Sequence, residues 1–247
     1  MPLLSSPSNL VVVWDVETTE LIDRDRVPIE DMDISVACAV CFDVDDTASV
    51  RDAVRVSFWS DEMYASRHLA ELAELLAECK ASVAFNGLNF DIRTMKKHFA
   101  SDEEYGKAVL KLYDPFDDLM HVTGPCSLAS LLRVNGLEAK GGKGSDAPAM
   151  WKQKRFEDLE SYCKRDVELL AQLITARPTI RIPGVMEARH PLRISELLFA
   201  DFFAGTSPAP APAPSNLTFS APAPFFPARK RFRKEERSLD GNVQDEA

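Results

Sequence analysis

An α/β sandwich built on a mixed sheet is the architecture this sequence predicts, on three observations. Strand-like and helix-like segments alternate along the body of the chain, β-rich at first and helical later. The 247 residues, 45% of them hydrophobic, are enough for one full core with sequence left over. An abrupt change of composition then marks where that core ends, so residues 1–203 read as one domain and 204–247 as a tail.

The elements follow in order. Asn9 to Glu17 is a β-rich run closed by a polar loop, and Asp33 to Asp43 and Val54 to Trp59 supply two more strands. Glu62 to Cys79 spaces Leu69, Leu72 and Leu76 as one face of a helix. Ser82 to Phe85 reads as a short strand, and Ile92, Met95 and Phe99 mark a helix after it. Leu110 to Tyr113 supplies the fifth strand. Ser127 to Val134 and Phe156 to Ala176 read as helices, separated by the loop around Gly141-Gly142-Lys143-Gly144. Ile194, Leu197, Leu198 and Phe202 form a short apolar stripe that either packs on the domain or docks a partner.

The tail alternates proline with alanine from Ser207 to Pro214 and again from Ala221 to Pro224. Such sequence favours extended polyproline conformations over a hydrogen-bonded core, and it is expected to be disordered. The cluster Arg229-Lys230-Arg231-Phe232-Arg233-Lys234 reads as a nuclear-import signal, a nucleic-acid-binding arm or simply a solvated stretch. The tail is also a candidate segment for recruiting a protein partner. From Ala204 onward its six Lys/Arg against five Asp/Glu give +1, so the body carries −11 where the whole chain carries −10.

That acidity argues against a broad electrostatic surface for nucleic acid, unless bound dications reverse the local field. No apolar run approaches the ~20 residues of a membrane span, and the first residues lack the pattern of a secretory signal. An intracellular protein is expected, and the Asn216-Leu217-Thr218 triplet then carries no glycosylation meaning. The five cysteines read as reduced, buried thiols, with Cys38 and Cys41 inside a strand rather than in a zinc or redox site. The four histidines show no metal-ligand spacing.

Three stretches carry chemistry. In Val11-Val12-Val13-Trp14-Asp15-Val16-Glu17-Thr18-Thr19, residues two apart share a face, so Asp15 and Glu17 project together from one end of a buried strand. Two carboxylates held so close repel and lose hydration, costs that a hard ion such as Mg²⁺ or Mn²⁺ relieves. The plain alternative is a strand that ends in a polar turn. In Val83-Ala84-Phe85-Asn86-Gly87-Leu88-Asn89-Phe90-Asp91, a strand passes through a glycine turn into a helix whose first turn holds Asp91. That place suits any acid because of the helix dipole. Asn86 and Asn89 either hydrogen-bond the loop or reach a substrate phosphate. In Phe156 to Ala176, Tyr162 and Asp166 lie one turn apart on the face continued by Leu169 and Leu173. An inward carboxylate needs a partner, either a metal or a buried Arg or Lys.

Together these residues resemble the DEDD, or DnaQ-like, superfamily of 3′→5′ exonucleases, which adopt an RNase H-like fold. The motifs occur in the family's order: Asp15-Val16-Glu17, then Asn86 to Asp91, then Tyr162-Cys163-Lys164-Arg165-Asp166. The tyrosine selects the DEDDy branch, and Asn-x-x-x-Phe-Asp looks most like the proofreading domain of family-B DNA polymerases and their stand-alone relatives. The likeness spans roughly residues 9–176. It implies two metal ions, Mg²⁺ or Mn²⁺, with Asp15 bridging both, Glu17 and Asp166 completing one, and Asp91 holding the other through water. It implies that Tyr162 orients the attacking water and that the substrate is a nucleic-acid 3′ end, single-stranded or frayed. Leu21 falls where relatives wedge an apolar side chain against the terminal base, and Thr18 and Thr19 would face the terminal nucleotide. Apart from the resemblance, Lys143, with Lys140, Lys152, Lys154 and Arg155, reads either as a patch that grips the backbone or as a solvated basic loop.

The chain departs from the pattern at Glu20, where relatives commonly carry glycine. A loop needing a positive φ there would fit glutamate poorly. Two other readings compete: a catalytically silent exonuclease fold used as a scaffold, and an RNase H-like endonuclease. The intact acidic set disfavours the first and the Tyr162–Asp166 pair the second.

Overall fold

The computed structural model describes residues 6–21, 27–44, 53–60, 68–138, 144–184 and 189–199. Lys140, Lys143, Phe202, the expected helical residues before His68 and the whole tail lie outside them.

The central strand is β1 (Leu10–Thr18), which pairs antiparallel with β2 (Ile34–Asp43) until a bulge between Glu17 and Thr18 shifts the register. Both are buried on both faces, which explains their near-continuous apolar runs where a half-exposed strand would alternate. β3 (Val54–Trp59) adds an antiparallel edge to β2. After α1 (Leu69–Glu78), β4 (Ala81–Val83) returns parallel to β1. α2 (Asp91–Thr94) and α3 (Asp102–Lys111) lead to β5 (Leu112–Tyr113), parallel to β4. The five-stranded sheet runs β3-β2-β1-β4-β5, antiparallel in one half and parallel in the other, the mixed sheet that the sequence predicts.

Four helices follow: α4 (Pro115–Thr123), α5 (Leu128–Val134), α6 (Ala147–Lys152) and α7 (Phe156–Ala176). A two-stranded hairpin of β6 (Ile180–Arg181) and β7 (Arg189–His190) precedes α8 (Ile194–Leu198). Alternate residues of β1 divide the core into two layers. Val12, Trp14 and Val16 pack with Leu72 and Leu76 of α1 and Ile92 of α2. Val11 and Val13 face the other way, into the layer that holds Leu159, Leu169 and Leu173 of α7. Asp15 and Glu17 share the parity of Val11 and Val13, so they face α7.

Two of the expected elements differ from the sequence reading. Leu110 to Tyr113 is mostly helix end: Leu110 is 88% exposed in α3, and only Leu112 and Tyr113 form the strand. The helix expected through Ile92, Met95 and Phe99 is a single turn, followed by a tighter turn at Lys96–His98. The apolar stripe near the end of the body packs inward, with Ile194 and Leu198 buried. None of the five cysteines forms a disulfide; four are buried as expected, whereas Cys126 is only half-buried, and Cys38 and Cys41 belong to opposite layers, so they cannot act as a pair. Among the described residues, no helix is long and apolar enough to cross a membrane.

Candidate active site

β4 is three residues long, so β1 outruns it, and the last part of β1 has no strand on that side among the described residues. An unpaired N–H there is costly when buried. Asp91 answers it: the Val16 N–H, between Asp15 and Glu17, donates to Asp91 Oδ1 at 3.1 Å. The acid at the start of α2 is thereby drawn against the strand that carries the first two.

The opposite wall is α7. Ligand oxygens of Asp15, Glu17 and Asp166 all lie within 4.8 Å of one another. Asp91 stands beside Asp15, close enough for its charge to act on it. These four acids, distant in sequence, open onto one cleft of about 690 Å³, together with Tyr162. Burial, then repulsion from Asp91, Glu17 and Asp166, pushes the Asp15 carboxyl well above its usual range. Burial likewise pushes Asp91 up to about 7, against the lowering effect of the Val16 N–H. Crowded, desolvated carboxylates with no compensation retain protons. A set of hard oxygen donors at this spacing suits a divalent cation, which would replace those protons.

Tyr162 is 7% exposed and lines the cleft. Burial, then the charges of Glu17, Asp166, Asp15 and Asp146, raises its pKa, so the phenol stays protonated. In that state it can donate or orient.

Two buried thiols stand behind Asp15, although the sequence marks both only as ordinary core residues. Cys38 stands opposite Asp15 in the β1–β2 register. The Cys163 thiol, one helical turn before Asp166, reaches Asp15 O at 3.6 Å and Oδ2 at 3.9 Å. Burial raises Cys163 well above the usual thiol range, leaving it a neutral, weak donor. Ser35 fixes the next acid, its hydroxyl donating to Glu17 O at 3.0 Å. The only advance signal for these supports is their parity or helical spacing relative to the acids.

The remaining expected site residues separate into groups. Leu21, Thr18 and Asn86 line the cleft, and Leu21 is 61% exposed. Thr18 turns its hydroxyl to Glu20 O at 2.7 Å. Thr19 and Asn89 are not among the lining residues: the Thr19 N–H donates to Asp33 O, and Asn89 Nδ2 donates to Asn86 Oδ1 at 3.1 Å. Glu20 also lines the cleft, and its φ is not positive, so the loop makes no demand there that only glycine meets. The positive-φ residue of the site is Asn86, at 64°. Ser127, Leu128, Ser145 and Pro148 complete the far wall. Of the basic residues, Arg155 pairs with Asp158 at 2.8 Å.

The RNase_H_2 family model, within the RNase_H superfamily, matches residues 12–177. Among solved structures, the family B DNA polymerase of the hyperthermophilic archaeon Pyrobaculum calidifontis is 12% identical with a TM-score of 0.44, over 68% of this chain and 25% of that one. A zinc-bound complex of E. coli ExoI with single-stranded DNA is 13% identical with a TM-score of 0.39, over 63% of this chain and 42% of that one. A product-bound exonuclease I is 14% identical with a TM-score of 0.37, over 63% and 46%. The chain therefore spans less than half the length of each of these proteins. No curated protein matches it. With the family model matching two thirds of the sequence and the sheet order in agreement, the chain belongs to the RNase H superfamily.

Proposed function

We propose that this chain is a metal-dependent 3′→5′ exonuclease of the DEDD superfamily, tyrosine branch, acting on single-stranded or frayed 3′ ends. Membership of the RNase H superfamily supports nuclease activity. The finer reading is carried by one observation: Asp15, Glu17 and Asp166 offer oxygens within 4.8 Å of one another, with Asp91 beside Asp15.

Asp15 would be shared by two Mg²⁺ or Mn²⁺ ions, Glu17 and Asp166 would complete the first set, and Asp91 the second. Paired ions of this kind, ~4 Å apart, stabilise the attacking and leaving oxygens of an in-line displacement. Tyr162 keeps its proton and orients the attacking water from the α7 side. Phe85, Phe90, Leu128 and Leu132 give the cleft apolar surface suited to a base, and exposed Leu21 stands at its mouth. The sugar–phosphate chain would leave past the basic segment before α7, with Lys143 gripping it there.

The test compares DNA and RNA strands labelled at either end, with Mg²⁺, Mn²⁺ or chelator. The expected outcome is stepwise release of mononucleotides from the 3′ end. Asp15→Ala and Asp166→Ala should each lose about 10²–10³-fold or more while keeping the parent's circular dichroism. Internal cuts in a circular strand would reassign the chain as an endonuclease. Full activity in both variants would remove the acids from the chemistry.

A further inference from the structure

The turn that delivers Asp91 is demanding. Asn86 is in the left-handed region at φ 64°, and a Cβ on Gly87 would stand 2.5 Å from the Ala84 Cβ. Among the described residues no strand ladder supports this segment, because β4 ends at Val83. Its backbone donors converge instead on one side chain. The Asn86 N–H donates to Asp114 Oδ1 at 2.8 Å and the Leu88 N–H to Asp114 Oδ2 at 3.1 Å. The same carboxylate caps α4, accepting from the Phe116 N–H at 2.9 Å.

Asp114 is 2% exposed, and its carboxylate accepts from backbone donors of two separate segments, the turn and the start of α4. Capping α4 needs only one of them, and serine or asparagine would serve as well. The other two bonds reach across to the turn. Five residues after Asn86 comes Asp91, tied at its far end to β1 through Val16. The turn is thus pinned where it begins by Asp114 and where it ends by β1, and Ile92 N–H closes it onto Gly87 O at 3.0 Å. The Asp114 charge also acts directly on Asp91.

We propose that Asp114 is a positioning residue that sets where the Asp91 carboxylate stands relative to Asp15, Glu17 and Asp166. The proposal rests on the metal-dependent reading, because its consequence is the quality of the cation site that Asp91 completes. Asp114 touches neither substrate nor reacting atoms. It acts on the turn through the backbone N–H groups of Asn86 and Leu88, in addition to the direct effect of its charge on Asp91.

The experiment uses the full chain and three variants. Asp114→Ser keeps an acceptor for Phe116 but is too short to reach the turn. Asp114→Asn keeps the size and turns an amide donor toward one of the N–H groups. Ser101→Ala is the control: it removes an ordinary helix cap on α3, where Ser101 Oγ accepts from Glu104 N, far from the cleft. Each is titrated with Mn²⁺ by calorimetry below its melting temperature, and its activity is measured across Mn²⁺ concentrations. Asp114→Ser and Asp114→Asn should weaken one of two Mn²⁺ binding events by about ten-fold or more. They should raise the Mn²⁺ needed for half-maximal activity alike and recover much of kcat at saturating Mn²⁺. Ser101→Ala should lower the melting temperature and change neither. Parent-like Mn²⁺ titrations in both Asp114 variants would reduce Asp114 to a helix cap. If Asp114→Ser does not fold, the isosteric Asp114→Asn decides. A parent that binds no Mn²⁺ overturns the metal-dependent reading itself, and the positioning role with it.

Discussion

Asp91 illustrates how one side chain comes to hold a proton that the unfolded chain would release. Burial pushes its pKa up to about 7, and Asp15 beside it is raised as well. In the unfolded chain both titrate near the ordinary value of about 4. The stability from the proton on Asp91 is complete below about pH 4 and is lost as pH rises through about 7. Metal-free protein should therefore melt at steadily lower temperature from about pH 5 to about pH 8, and Asp91→Asn should flatten that trend. A melting temperature that climbs across the interval would show that the acids are neutralised by something else. At the same scale, Tyr162→Phe should lower kcat by about 10²-fold and leave KM for the strand nearly unchanged. An equal rise in KM would mean that the hydroxyl binds substrate instead of placing water. Asp15, Glu17 and Asp166 were legible in the sequence because strand and helix periods state which way a side chain points. Asp91 was marked only by the family resemblance: an acid in a first helical turn already has a sufficient local reason to be there, and the shortness of β4, which supplies the other one, is not visible in the residues themselves.

At the scale of elements, the site is made by one strand outrunning its neighbour and one long helix crossing the gap. α7 buries Leu159, Tyr162, Leu169 and Leu173 along one stripe, which holds Asp166 beside the acids on β1. The turn between β4 and α2 is the less secure part. Gly87→Ala places a methyl 2.5 Å from the Ala84 Cβ, so the turn must shift. The expected cost is about 1–3 kcal/mol, as for overpacking elsewhere, with Mn²⁺ affinity falling alongside stability. Unchanged Mn²⁺ affinity in a destabilised variant would separate the turn from the cation site. β1, β2, β3 and α7 were read from sequence nearly to their ends, since long apolar runs and a sustained 3.6-residue period admit few alternatives. α3 escaped because only Ala108 of it is buried, while its last residues run directly into β5, so Leu110 to Tyr113 reads as one strand. α4 carried usable signals, an Asp114 cap followed by Pro115 at the first helical position, but its nine residues bury only Pro115 and Leu119.

For the whole molecule, the difficulty is charge. A body of net −11 repels the polyanion that its cleft is proposed to receive, and the cleft itself gathers four carboxylates with Glu20 at its rim. Divalent ions at the site would then be needed for binding as well as for chemistry, because they reverse the field where the terminal phosphate must sit. This separates the protein from one that grips nucleic acid through a basic surface, whose affinity is unaffected by chelator and falls steeply with salt. The Tyr162→Phe protein, slow in chemistry, permits the comparison on an intact strand. Its affinity for a fluorescent single-stranded oligonucleotide, followed by anisotropy, should rise about ten-fold or more when Mn²⁺ replaces chelator, which is about 1.4 kcal/mol. Removing residues 204–247 tests the tail in the same assay. If the Arg229–Lys234 cluster neutralises phosphates, the truncated chain should bind more weakly at low salt. Its salt dependence should also be shallower, by ~0.7 in slope for each phosphate that the tail had neutralised. The Mn²⁺ effect should survive truncation intact. Equal affinity in Mn²⁺ and in chelator would mean that the strand is held away from the acids, and the cleft would lose its claim to the 3′ end.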